Sequence, residues 1–293
     1  MKQFFKSAGL ILLLLLLYAM LQGLCTIVLF AAYDFFVSGN SADLFMADES
    51  AISFSETHFT LMAIGLILSS LLMLFILHIT RLFRLRKGIF TTISLRTLFI
   101  STALVFTSMF VLNIFVQFFP LEDQIETQFD GLSHNIFGII SIAFLAPILE
   151  EVLFRGAIQG YLTRRMKNPW FAIIISALTF GIFHMNPIQI VYATLLGIVF
   201  GWIYYRTGNL LSVIVGHVLN NSIATASMLL LNGADESAVE DGNLGVSLCI
   251  FFLFLAISGF LAFRLHRSLP AVPKPWHESD EKSLQESPDG VLQ

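Results

Sequence analysis

The composition of this 293-residue chain is that of an integral membrane protein. Hydrophobic residues make up 56% of it and charged residues only 12%, whereas a soluble domain carries about 25% charged residues. The formal net charge is −4 and the mean hydropathy is +0.81. The two cysteines lie in apolar runs and argue against a disulfide framework or a thiolate metal site. The single basic run, at 81–88, is better explained as a topology anchor near anionic lipid than as a nucleic-acid-binding segment.

The apolar residues fall into about eight segments that are long enough for membrane-spanning helices. A spanning helix needs roughly 20 mostly apolar residues, and the first run is too long for the core of a signal peptide, which predicts an uncleaved first span. Asn186 and Pro187 separate two short segments, the fifth and sixth, which predicts a tight helical hairpin. The segments predict an all-α, polytopic transmembrane bundle, with spans at about 8–33, 58–80, 97–119, 136–163, 170–186, 188–205, 209–231 and 244–263.

The distribution of basic residues predicts the orientation of the bundle. With the N-terminus in the cytoplasm, every Lys and Arg outside the spans falls on the cytoplasmic side, and none falls in a loop on the other side. This bias is the positive-inside rule. An even number of spans then places both termini in the cytoplasm.

We predict four regions along the chain. The first is an N-terminal transmembrane region of three spans, and the second is a four-span core that contains the intramembrane polar residues. An acidic outer loop with the eighth span follows. The last region is a disordered cytoplasmic tail, because its Pro, Ser, Glu, Asp and Lys residues cannot form a packed core. The predicted boundaries are 1–134, 135–231, 232–267 and 268–293.

Ionisable and amide side chains are concentrated in three spans of the second half. An ionised residue at a helix centre costs about 2.5–3.5 kcal/mol on insertion scales, so such residues usually face a cavity or a partner. At a rise of 1.5 Å per residue, these side chains lie roughly 12–22 Å from the cytoplasmic ends of their helices, at overlapping depths. We therefore predict that the three spans meet at one site, which includes Glu150, Glu151, Arg155, His184, His217, Asn220 and Asn221.

Spacing within the helices separates the expected roles. Glu151 and Arg155 are i,i+4 neighbours and predict an ion pair. Glu150 points about 100° away from Glu151, which leaves it as the free carboxylate and the candidate general base. His217 and Asn221 share a helix face and can donate hydrogen bonds to an oxyanion. Each feature also has a structural explanation: a buried ion pair, a histidine that joins two helices, or an asparagine that packs between them.

Three short motifs in the second half of the chain resemble those of a known family. The stretches "EEVLFR" at 150–155, "FGIFH" at 180–184 and "HVLNN" at 217–221 are similar to the EExxxR, FxxxH and HxxxN motifs of the CAAX protease and bacteriocin-processing (CPBP, or Abi) family of intramembrane proteases. The resemblance covers the core from about 135 to 231 and implies a multi-pass protein of a bacterial cell membrane.

The resemblance implies hydrolysis of a peptide bond within the membrane. By position, Glu150 and His184 would activate the water, while His217 and Asn221 would stabilise the oxyanion. Glu151 and Arg155 would support the site, and Phe180 would pack behind His184. The implied partner in the bilayer is a membrane-embedded or lipid-anchored protein or peptide, cleaved in CAAX-type processing, bacteriocin maturation or self-immunity.

The sequence leaves the metal and the reaction class open. Glu150, His184 and His217 are candidate zinc ligands, but there is no HExxH motif, and Asn221 would be a poor ligand. We therefore slightly favour a metal-free, glutamate-type reaction. A proton-coupled transporter could use the same polar cluster, although no paired repeat with broken helices is visible. A non-catalytic scaffold or immunity protein is the third alternative.

Overall fold

The structure is a computed structural model that describes residues 2–38, 55–80, 82, 93–121, 126–231 and 244–269. Within these ranges every regular element is helical, as the sequence predicts. Most of the basic run at 81–88, the acidic stretch at 232–243 and the tail from 270 onward lie outside the described residues.

Nine helices are described, and eight of them are apolar. α1 continues into a π-helical turn at Asp34–Ser38, and α4 is a short polar helix. In chain order the helices are α1 Lys2–Tyr33, α2 Glu56–Ile79, α3 Leu95–Val116, α4 Glu126–Ser133, α5 Ile136–Thr163, α6 Pro169–Phe183, α7 Pro187–Thr207, α8 Leu211–Leu231 and α9 Leu244–Ser268.

Seven of the described helices are long and apolar enough to cross a membrane, which makes the chain an integral, multi-pass membrane protein. The eighth apolar helix, α6, has 15 residues and is about 22 Å long at 1.5 Å per residue, less than the hydrocarbon thickness of about 30 Å. The prediction that the sixth span is also short was wrong, because α7 continues to Thr207 and has 21 residues. Helix positions do not distinguish the two membrane faces, so the cytoplasmic placement of the termini stays a prediction.

Local signals explain where the hairpin α6–α7 begins and ends. The side chain of Asn168 accepts a hydrogen bond from the Trp170 N–H, and Pro169 occupies the first helical position, where a missing N–H costs nothing. Pro187 likewise occupies the first helical position of α7. Gly208 ends α7 in the left-handed conformation, with φ 63°, which glycine adopts without steric cost. α6 and α7 pack along each other, which confirms the predicted hairpin.

α5 is the central helix and is not a regular α-helix throughout. It contains two π-helical segments, Ile140–Leu145 and Glu151–Gln159, a geometry that is rare and frequent at functional sites. Every residue of the second segment is buried. α7 lies close to this segment. Arg155 donates a hydrogen bond to the carbonyl of Gly197 on α7. A Cβ at Gly197 would lie 3.2 Å from the Arg155 Nη2 atom, so a side chain there would press on the guanidinium.

Candidate active site

Glu151, at the start of the second π-helical segment, binds a guanidinium and an imidazole with one oxygen. Its Oε1 atom lies 3.0 Å from Arg155 Nη1 and 2.7 Å from His217 Nδ1. The carboxylate is fully buried, and the His217 side chain is only 4% exposed. The ion pair with Arg155 has the predicted i,i+4 geometry, whereas the hydrogen bond from His217 on α8 was not foreseen, since it joins residues 66 positions apart.

Glu150 faces the other nitrogen of the same imidazole. Its Oε2 atom lies 3.7 Å from His217 Nε2, and its side chain is 14% exposed. The two carboxylates point in different directions from α5 and still reach the same ring, because its two nitrogens lie on different edges. His217 therefore lies between a buried carboxylate at Nδ1 and a partly accessible carboxylate at Nε2.

Arg155 is fully buried and is held by aromatic rings as well as by Glu151. Its guanidinium carbon lies 4.4 Å from the ring centroid of Phe180 and 5.1 Å from that of Phe200. Such cation–π contacts are worth up to about 2 kcal/mol when desolvated. Arg155 thus connects the second π-helical segment of α5 to α6 and α7.

His184 lies directly after the last residue of α6, not within the helix. Its Nδ1 atom is 2.9 Å from the carbonyl oxygen of Phe180, so Nδ1 carries the proton and donates it, and Nε2 is left as the acceptor. The chain turns sharply after it, since Met185 adopts a left-handed conformation with φ 54°. His184 and Glu150 do not lie within ion-pairing distance of each other.

Phe180 separates the two histidines. Its ring makes edge contacts with His184, at 4.9 Å between centroids, and with His217, at 5.7 Å. The ring is 2% exposed, so it is a rigid spacer that sets the distance between the imidazoles. The sequence motif suggested contact with His184 only.

Asn221 belongs to a chain of hydrogen bonds that the sequence did not reveal. The Tyr192 hydroxyl donates to Asn220 Oδ1 over 2.7 Å, and Asn220 Nδ2 donates to Asn221 Oδ1 over 3.0 Å. Asn221 Nδ2 in turn donates to the carbonyl of Ile142 over 2.9 Å. One N–H of the Asn221 amide is therefore used within the protein and one remains. Only the adjacent polar pair Asn220–Asn221 pointed to this network, and nothing in the sequence singled out Tyr192.

Gln159 is a second buried polar residue that the sequence analysis missed. It is fully buried, and its Nε2 atom donates to the carbonyl of Gly201 over 2.8 Å. It lies one helical turn beyond Arg155 and continues the contact between α5 and α7. The only signal in the sequence is its spacing of four from Arg155, which continues the row of polar residues on α5.

Among the described residues, the side chains do not assemble a metal site. Within the part of the chain that the structure describes, no group of three or more His, Cys, Asp or Glu side chains is arranged to hold a metal ion. The candidate ligands Glu150, His184 and His217 therefore do not form a zinc-binding set in this geometry. His217 Nδ1 is used by Glu151 and His184 Nδ1 by a carbonyl, so each histidine could offer only Nε2.

Comparison with known proteins points to one family. Residues 132–223 match the family model described as "Type II CAAX prenyl endopeptidase Rce1-like". Over 91 residues the chain is 34% identical to the "Putative membrane peptidase YdiL" of Bacillus subtilis (strain 168). That alignment covers 31% of this chain and 37% of the relative. No solved structure matches the chain significantly. The matched region runs from the end of α4 into α8 and contains every side chain of the candidate site.

Proposed function

We propose that this chain, whose residues 132–223 match a family model of CAAX prenyl endopeptidases, is an intramembrane endopeptidase of the CAAX protease and bacteriocin-processing family. It hydrolyses a peptide bond of a membrane-embedded or lipid-anchored protein or peptide. The observation that carries the proposal is the arrangement of two carboxylates on the two nitrogens of His217, one buried and one partly accessible. A purely structural ion pair would need neither the second carboxylate nor its exposure.

Hydrogen-bond geometry supports a donor role for His217. Its Nδ1 atom lies 2.7 Å from Glu151 Oε1, and its Nε2 atom lies 3.7 Å from Glu150 Oε2. A hydrogen on Nε2 could be donated to an oxygen that becomes negative during the reaction.

Glu150 is the proposed general base. A water molecule next to its carboxylate would lose a proton to Oε2 as the water oxygen attacks the carbonyl carbon of the scissile bond. The same carboxyl group would then return that proton to the amine that leaves when the C–N bond breaks. His184, with Nε2 as a free acceptor, would orient the water by accepting its other hydrogen.

The oxyanion would form beside α8. His217 Nε2 and the remaining N–H of Asn221 are the proposed donors, and they lie one turn apart on one helix face. The Tyr192–Asn220 hydrogen bonds fix the orientation of the Asn221 amide, because its Oδ1 atom accepts from Asn220 and so its N–H groups face the other way. A preorganised donor of this kind lowers the barrier without reorganising during the reaction.

The competing functions explain less of the geometry. A scaffold or immunity protein would need the buried Glu151–Arg155 pair for stability, but not a partly exposed Glu150 at His217 Nε2. A proton-coupled transporter could use the same carboxylates. It would nonetheless need a polar path on both sides of them, whereas the polar residues of α5 beyond the site, Arg155 and Gln159, are fully buried and hydrogen-bonded to carbonyls of α7.

A proteomic comparison tests the proposed activity in cells. Cells that carry the wild type and cells that carry Glu150→Gln would be compared by mass spectrometry of their membrane fractions. The wild type is expected to produce shortened membrane proteins or peptides whose new ends are missing in the Glu150→Gln cells. If the two sets of chain ends are identical, while Glu150→Gln supports the same cellular phenotype as the wild type, the protease proposal fails.

We expect the activity to survive removal of metal ions. No step above uses a metal, and the candidate ligands are not assembled as a set within the described residues. The purified protein would be dialysed against EDTA and 1,10-phenanthroline, analysed for bound zinc, and assayed before and after zinc is added back. Activity that stays within about twofold, with much less than one zinc per chain, supports the glutamate-type reaction. Loss on chelation and recovery with zinc would show that Glu150 is a ligand and not the base.

A further inference from the structure

Pro147 is a buried proline in the interior of α5. It follows the first π-helical segment, Ile140–Leu145, and lies in the short α-helical segment Ala146–Glu150 that connects the two π-helical ones. A proline inside a helix has no N–H group, so one carbonyl of the preceding turn loses its usual donor. Because a buried carbonyl without a hydrogen bond costs free energy, another group has to supply the bond.

The hydrogen bonds of the π-helical segment identify that carbonyl as the one of Ile142. In a π-helix each carbonyl accepts from the N–H five residues further on, and the Ala146 N–H accordingly donates to the carbonyl of Ser141. The next carbonyl, that of Ile142, would accept from residue 147, which is the proline. The Ala146 N–H, its donor in a regular α-helix, is already bonded to Ser141. The helix therefore supplies neither of the two usual donors to Ile142.

Asn221 on α8 supplies the missing bond. Its Nδ2 atom donates to the carbonyl oxygen of Ile142 over 2.9 Å, and Ile142 is itself buried. On its other side the amide is held by Asn220, which donates to Asn221 Oδ1 over 3.0 Å. The amide is thus bound through both of its polar atoms, and these two bonds together fix the direction of its second N–H group.

We infer that Pro147 is a positioning residue for Asn221, because the proline keeps the carbonyl of Ile142 available as the acceptor that holds the Asn221 amide. A residue with an N–H group at position 147 would donate to that carbonyl and compete with Asn221 for it. The catalytic consequence, a weaker stabilisation of the oxyanion, rests on the proposed function. The competition for the carbonyl is a property of the fold and can be measured without catalysis.

A set of variants separates the missing N–H group from the shape of the proline. Pro147→Ala introduces the N–H group, whereas Pro147→N-methylalanine, made by cell-free translation, has the same side chain and no N–H. Pro169→Ala is the matched control, because Pro169 occupies the first position of α6, where an N–H group has no acceptor within the helix. Asn221→Ala and the double variant Pro147→Ala/Asn221→Ala complete the set. Each protein would be purified in detergent and checked for a single monodisperse species.

The kinetic measurement uses an internally quenched peptide with a farnesylated Cys-aliphatic-aliphatic-X end. Pro147→Ala is expected to lower kcat by about tenfold with KM within about twofold, less than the loss of an oxyanion donor, because Asn220 still holds the amide. Pro147→N-methylalanine and Pro169→Ala should stay within about threefold of the wild type. In the Asn221→Ala background, Pro147→Ala should change kcat by less than about twofold, because the amide that Pro147 positions is gone. An equal loss in both backgrounds, or a loss in Pro147→N-methylalanine as large as in Pro147→Ala, would overturn the inference.

The second measurement, a cycle of thermal midpoints, does not depend on turnover. Asn221→Ala leaves the buried carbonyl of Ile142 without a donor where residue 147 is proline, but not where residue 147 carries an N–H group. The drop in midpoint that Asn221→Ala causes should therefore be smaller in the Pro147→Ala background by about 2 °C or more. Equal drops in the two backgrounds would show that the two donors do not compete, and the inference would be wrong. If the wild type cleaves nothing while the drops still differ, the proposed function fails and the competition for the carbonyl stands.

Discussion

Glu150→Gln is expected to abolish peptide hydrolysis while the protein remains inserted, folded and monodisperse. The amide has the shape of the carboxyl group but cannot accept the proton of the attacking water, and loss of a general base costs about 10²–10⁴ in rate. Folding should survive, because Glu150 is 14% exposed and makes only a long contact with His217, whereas Glu151 keeps its bonds to His217 and Arg155. The measurement is kcat on an internally quenched peptide with a prenylated C-terminal cysteine motif. The size-exclusion profile and the thermal midpoint serve as folding checks.

Four further variants serve as comparisons for that experiment. Glu56→Gln makes the same chemical change at an exposed position in the first turn of α2 and should leave kcat unchanged. His184→Ala and His217→Ala should each abolish turnover, whereas Asn221→Ala should cost only about 10²–10³, the usual effect of losing one oxyanion donor. Normal cleavage by Glu150→Gln would show that another group activates the water. If Asn221→Ala lost turnover as completely as Glu150→Gln, Asn221 would do more than donate one hydrogen bond to the oxyanion, and its assigned role would be wrong.

Arg155→Ala is expected to reduce the yield of folded protein as well as the activity. The guanidinium is fully buried, and its removal leaves the Glu151 carboxylate without its guanidinium partner and bonded only to the His217 imidazole among the described residues. Breaking a buried ion pair by removing one partner costs about 3–5 kcal/mol. The contacts with the ring of Phe180 and with the carbonyl of Gly197 are lost at the same time. Yield after detergent extraction, the size-exclusion profile and the thermal midpoint are the measurements.

A double variant tests the cause of that loss. Glu151→Gln added to Arg155→Ala removes the unpaired charge and is expected to recover much of the yield. It should not recover turnover, because His217 then lacks the carboxylate that holds its Nδ1 atom. Arg165→Ala, at an exposed arginine near the end of α5, is the matched control and should fold normally. If Arg155→Ala has the yield and thermal midpoint of the wild type but no activity, Arg155 contacts the substrate and is not a structural cation.

The sequence by itself determined the fold class and predicted which residues compose the candidate site. A membrane requires apolar helices of about 20 residues, so runs of Leu, Ile and Phe predicted each apolar helix to within a few residues. Charged side chains within a membrane span cost free energy. The presence of Glu150, Glu151 and Arg155 in one span therefore predicted a site there. The spacing of four between Glu151 and Arg155 was enough to predict their ion pair, because that contact lies within one helix.

Only the tertiary structure decided how residues of different helices meet. The bond between Glu151 and His217 joins α5 to α8, and the stack of Tyr18 on Phe183 joins α1 to α6. No periodicity in the sequence encodes such contacts, because they depend on how the helices rotate about their axes and pack. The same reason explains why the sequence did not predict that Glu150 and Glu151 both approach His217. An angle measured about a regular helix axis does not describe a helix that widens into a π-helical segment at Glu151, nor an imidazole that receives one carboxylate on each of its two nitrogens.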